Sequence, residues 1–89
     1  MKTFKDLQFK PYSCLPGMPG EHAILMFKNE YGVSVIRGPY TYGGKQGLYE
    51  LAVLDKDGNL TYDTPITDDV IGHLTADGVT KTMIEVQKL

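Results

Sequence analysis

Between His22 and Leu54 the chain alternates short apolar runs with turn-forming residues, and that pattern predicts strands. His22 to Lys28 is the strongest run, followed by the turn Asn29-Glu30-Tyr31-Gly32 and a second run from Val33 to Arg37, which together read as a hairpin. Leu48 to Leu54 gives a further strand. Asp57-Gly58 is a hairpin signal that returns the chain through Leu60 to Asp63. An earlier strand is expected over Phe4 to Phe9, ended by Pro11. After Pro65 the period changes. Val70, Ile71 and Leu74 fall on one helical face behind Thr67 as N-cap, and Asp68 and Asp69 suit the positive helix end. Thr75 offers a second N-cap, and Val79, Met83 and Val86 continue a helical stripe, with Gly78 weakening its first turn. The expected fold is a single α+β domain over residues 1–89: an antiparallel meander of four to five strands, then a C-terminal helical hairpin.

The strands are apolar on both faces. Ala23, Leu25 and Phe27 share one side of their strand, with Ile24 and Met26 on the other; Tyr49, Leu51 and Val53 oppose Leu48, Ala52 and Leu54. An amphipathic helical pair covers one face only. The second face must meet the 10–20 loop, which carries Leu15 and Met18, or another molecule. A homo-oligomer or partner interface is therefore expected.

Composition narrows the class. At 89 residues, with 42% hydrophobic and 22% charged residues, the chain reads as one small globular domain. The longest apolar run, Ala23 to Phe27, cannot span a bilayer, and the charged first residues lack the apolar stretch of a signal peptide. Cytosol is the expected compartment, with no membrane partner. Charge is uneven: residues 1–47 carry six basic and three acidic groups, residues 48–89 three basic and eight acidic. The net −2 and the acidic set Asp55, Asp57, Asp63, Asp68 and Asp69 argue against direct nucleic-acid binding. They define a candidate acidic surface.

The chemistry-bearing stretch is RGPYTYGGKQGLYE, Arg37 to Glu50, with four of the ten glycines and three of the six tyrosines. Glycines allow close backbone approach, and tyrosines offer rigid amphipathic contact area. Arg37, Tyr40, Tyr42, Gly43, Gly44 and Lys45 are the candidate binding residues, for a protein or for a small ligand. GPYTYGGK comes near a phosphate-binding loop, but Gln46 stands where Ser or Thr belongs and a strand follows in place of a helix. Gly44-Lys45-Gln46-Gly47 matches a GxxG pattern without the flanking helices that pattern serves. Tyrosines near Arg37 and Lys45 leave base stacking open. Asp55-Lys56-Asp57-Gly58-Asn59 opens like a calcium loop, yet Leu60 and Ile66 stand where Gly and Glu are needed. Cys14, His22 and His73 are too scattered for a zinc site, and no basic residue adjoins Cys14 to activate it. No metal, cofactor or enzymatic activity is expected.

YGVSVIRGPYTYGGKQGLYELAV, with LTYDTPITDDVIGHLT, resembles a family of small proteins encoded by tailed bacteriophages and prophages. The resemblance runs from about Leu7 to the second helix. Its core is the segment Tyr31-Gly32-Val33-Ser34-Val35, the strand Gly47-Leu48-Tyr49-Glu50-Leu51-Ala52-Val53, and Thr64-Pro65-Ile66-Thr67-Asp68-Asp69-Val70. It brings no catalytic residues. It implies a non-enzymatic accessory protein that binds a host protein, for instance as an anti-CRISPR-like inhibitor of a defence nuclease or signalling system. The alternatives are a nucleotide- or small-molecule-sequestering protein and a phage structural or assembly subunit.

Overall fold

Five strands form one antiparallel sheet in the order β1-β2-β3-β4-β5: Lys10–Tyr12, Gly20–Met26, Gly32–Arg37, Tyr49–Leu54 and Ile71–Leu74. A single helix, α1, follows over Ala76–Gln87. These assignments come from a computed structural model that describes every residue except 13–19, 40, 42 and 67–69, together with the side chain of Lys45. The α+β class and the meander are as expected from the sequence. Thr67, Asp68 and Asp69 lie outside the described residues.

The helical hairpin is not formed. Ile71 to Leu74 is an edge strand that pairs with β4, Tyr49 opposite Leu74 and Leu51 opposite Ile71. Two steps on β4 thus face three on β5, and the extra residue makes a β-bulge. His73 carries it with φ 57°, a left-handed conformation. The apolar spacing of Val70, Ile71 and Leu74 fits one face of a bulged strand as well as a helix, and β4 had an open edge to fill. His73 is therefore an exposed strand residue, not a helical one.

The helix that remains starts at Thr75, whose Oγ1 accepts from the Gly78 N–H at 3.1 Å. Val79, Met83 and Val86 are fully buried and Thr82 nearly so. This i, i+3, i+4, i+7 stripe packs on Ala23, Val33, Val35, Leu51 and Val53 of the sheet. Thr82 satisfies its hydroxyl on the Gly78 carbonyl at 3.0 Å.

The expected strand over Phe4 to Phe9 is replaced by a 3-10 turn, Phe4–Asp6, and an extended link into β1. The Thr3 N–H donates to Asp6 Oδ2 at 2.8 Å and the Asp6 N–H to the Thr3 carbonyl at 2.9 Å, which closes the turn locally. Phe4 and Phe9 then cluster with Tyr49, ring centroids 5.1 to 5.7 Å apart, and Leu7 enters the core. Pro11 belongs to β1, an edge strand, where a missing N–H is tolerated.

The β2–β3 turn closes as expected around Asn29, with the Phe27 N–H on the Tyr31 carbonyl at 2.7 Å. Asn29 Nδ2 also reaches the Val86 carbonyl at 2.8 Å and so caps the end of α1. The turn at Asp57-Gly58 forms too, with Gly58 at φ 80°. Its return, however, is one bridge between Leu54 and Leu60 and not a strand through Asp63.

Candidate binding cleft

The Arg37–Glu50 segment leaves β3 and enters β4 at one end of the sheet, where β2 begins. Gly38 opens it. The Gly38 N–H donates to Thr41 Oγ1 at 3.0 Å, and the Thr41 hydroxyl and N–H both donate back to the Gly38 carbonyl at 2.9 and 3.1 Å. A second turn stacks on the first. The Gly44 N–H donates to the Thr41 carbonyl, and Gly43, at φ 85°, accepts from Gln46 and Leu48, each at 3.0 Å. A short 3-10 helix, Gly44–Gln46, ends on Gly47 at φ 77°. The segment is a folded knot of hydrogen-bonded turns.

Each glycine in it answers a specific demand. A Cβ on Gly44 would collide with the Gly38 carbonyl and Thr41 Oγ1. A Cβ on Gly43 would lie 2.9 Å from His73 Cα, so the loop buttresses the β5 bulge. Nothing lies within 4 Å of where a Cβ on Gly47 would stand, which marks that glycine as open surface.

A cleft of about 490 Å³ runs along this end, walled by Gly20 and Glu21 of β2, by Arg37, Gly38 and Pro39, and by Gly44 and Gly47. Strand register creates it by setting Glu21 opposite Arg37. The Arg37 guanidinium donates to Glu21 Oε1 at 2.5 Å, lies 4.8 Å from the centroid of the Tyr49 ring, and reaches the Gly47 carbonyl at 3.4 Å. Both charged side chains remain about one-third exposed. The cation lies over an aromatic face while part of it still meets solvent.

Arg37, Gly43 and Gly44 thus lie in or beside the cleft, and the backbone of Lys45 joins them in the 3-10 helix. Tyr40 and Tyr42 lie outside the described residues. Glu21, Gly20 and Pro39 enter from the fold, with His73 behind Gly43; a hairpin centred on Asn29 is the sequence signal that could have paired Glu21 with Arg37. Of the acidic set, Asp68 and Asp69 lie outside the described residues. Asp55 Oδ1 accepts from the N–H groups of Asp57 and Asn59 at 2.9 and 3.1 Å and so shapes its own turn. Asp63 is exposed, and its N–H makes a 3.4 Å contact to Thr61 Oγ1. Among the described residues no three His, Cys, Asp or Glu side chains could hold a metal ion, and no helix is long and apolar enough to cross a membrane. His22 Nδ1 is buried without a hydrogen-bond partner among them, and its ring meets Tyr12 at 5.1 Å.

A second cavity, about 530 Å³, lies at the opposite end between the amino-terminal segment, the β2–β3 turn and Gln87. Its polar groups are largely committed to structure. Gln87 accepts from the Lys2 N–H at 2.8 Å and donates to the Lys2 carbonyl at 2.7 Å. Comparison of the chain with protein-family models, curated proteins and solved structures finds no match in any of the three.

Proposed function

We propose that this chain is a non-enzymatic binding protein that engages a protein partner through the cleft end of its sheet. The observation that carries the reading is the open, glycine-walled cleft with a pre-positioned Arg37 at its base. Glycines bring the walls within reach of a partner's side chains, and a guanidinium already fixed on Tyr49 loses little entropy on binding. Tyr40 and Tyr42, next in sequence to Pro39 and Gly43, would supply the aromatic anchors such interfaces favour. The resemblance to phage proteins gives the context: a host protein as target, with inhibition of a bacterial defence nuclease or signalling protein as the outcome.

Sequestration of a nucleotide fits this end less well. The amides of Gly38, Gly44 and Gly47 are bonded within the loop, and Glu21 offsets the charge of Arg37. A phosphate would have to displace these partners, against the ordinary design of an anion site.

Capture from bacterial lysate, comparing the wild type with a Tyr40→Ala/Tyr42→Ala variant and with Gln46→Arg at an exposed cleft-side position, tests the proposal. A partner held by the wild type should be lost from both variants while their melting temperatures stay unchanged. Retention of that partner by both would remove the loop from the interface.

A further inference from the structure

Arg37 is only partly engaged by its neighbours. Its guanidinium carbon stands 4.8 Å from the centroid of the Tyr49 ring, and Glu21 meets it through one oxygen, Oε1, so the pair is monodentate. Among the described residues Glu21 Oε2 has no partner. Both charged residues wall the cleft, whereas Tyr49 does not, and the exposed third of Arg37 is the part that Tyr49 and Glu21 leave uncovered. Most of the remaining wall carries no side chain: Gly20, Gly38, Gly44 and Gly47 contribute backbone, and Pro39 an apolar ring. A flat group can enter such a slot without meeting a Cβ.

Charge decides which flat group suits it. Glu21 offsets the charge of Arg37, so a carboxylate or phosphate entering the cleft meets a second anion beside the cation. A neutral aromatic ring meets no such opposition. The guanidinium still attracts a π face, and arginine stacks on rings in a way that lysine does not. Glu21 Oε2 adds an acceptor for a donor carried on the ring. We infer that the cleft takes a tryptophan or tyrosine side chain of the protein partner, its ring on the side of Arg37 away from Tyr49 and its N–H or O–H donating to Glu21 Oε2. These two residue types are the commonest anchors of protein interfaces, being apolar bodies with one polar handle. The inference deepens the proposed function and rests on the cleft end being the binding surface.

Titration of the nitrogen-labelled full chain with the N-acetyl amides of tryptophan, tyrosine, phenylalanine and leucine, followed by NMR, tests it. The tryptophan and tyrosine amides should shift the signals of Gly38, Gly44 and Gly47 and leave Gly58, beyond the far end of β4, unmoved. They should bind about tenfold more tightly than the leucine amide. The phenylalanine amide, a ring without a donor, should fall about threefold behind the tyrosine amide. Arg37→Lys keeps the charge and loses the plane, so it should abolish the advantage of the aromatic amides over leucine. The chain has no tryptophan, so indole fluorescence gives a second reading of the tryptophan amide alone. Equal binding of the leucine and tryptophan amides, or an aromatic advantage that survives Arg37→Lys, overturns the inference. Adenosine binding more tightly than both donor-bearing amides overturns it too, because the cleft would then take a base. If the aromatic amides leave the cleft unchanged while the Tyr40→Ala/Tyr42→Ala variant still loses its captured partner, this inference fails and the proposed interface stands.

Discussion

Arg37 changes meaning between sequence and structure. In the sequence it is a cation beside glycines and tyrosines; in the fold it joins β2, the loop and the aromatic cluster. Its ion pair is partly exposed and contributes little by itself, about 1 kcal/mol or less. Stacking on Tyr49 adds a comparable amount. Arg37→Lys keeps the charge but loses the planar group, so a thermal melt should show a loss of about 1 kcal/mol, roughly 4–8 °C in a domain of this size. An unchanged melting temperature would mean that the stacking contributes nothing. The loop glycines separate two physical effects. Gly44→Ala forces backbone and Thr41 apart and should cost roughly 1–3 kcal/mol, whereas Gly58→Ala meets open space and should cost only the ~1 kcal/mol of a left-handed alanine. Equal losses from the two would contradict the packed turn at Thr41.

At the scale of elements, α1 and β5 show what was legible. The stripe Val79, Met83, Val86 behind Thr75 was readable because a cap and a period of 3.6 agree over twelve residues. Thr75→Ala should cost ~1 kcal/mol and Met83→Ala roughly 2–5 kcal/mol in denaturant melts, since one removes a cap and the other opens a cavity against the sheet. A Met83→Ala loss below that of Thr75→Ala would be inconsistent with the packed core. The segment at Ile71–Leu74 was not readable in the same way. Four residues cannot distinguish a helix turn from a strand by spacing, and the deciding contact, Tyr49 opposite Leu74, comes from twenty-five residues earlier. The amino-terminal segment failed for a similar reason: Phe4, Leu7 and Phe9 are apolar because they pack on Tyr49 and the core, not because they alternate on a strand. In the cleft, Arg37 and the glycines could be nominated from composition. Glu21 could not, because only strand pairing brings it there.

For the molecule as a whole, the ends of the chain are joined. The amide of Gln87 exchanges hydrogen bonds with both backbone groups of Lys2, and the Phe4 N–H donates to Thr80 Oγ1 at 3.0 Å. The amino-terminal segment is thereby strapped along α1. Gln87→Ala should raise hydrogen exchange at the Lys2 amide about tenfold, with little change in the β3 and β4 amides. Uniform acceleration across the sheet would show instead that the strap and core open together. The helix covers one face of the sheet; on the other, Ala52 and Leu54 are also buried while Ile24 and Met26 stay exposed.

The sequence by itself determined the α+β class, an antiparallel meander through β2, β3 and β4, and the helix at Thr75. These rest on local period and turn chemistry, which adjacent residues carry. Tertiary structure decided that the first expected helix is an edge strand and that Glu21 meets Arg37. It also decided that the amides of Gly38, Gly44 and Gly47 are spent on the loop itself. Those outcomes depend on which distant backbone groups need partners, and hydrogen bonding between strands settles them only once the sheet has closed.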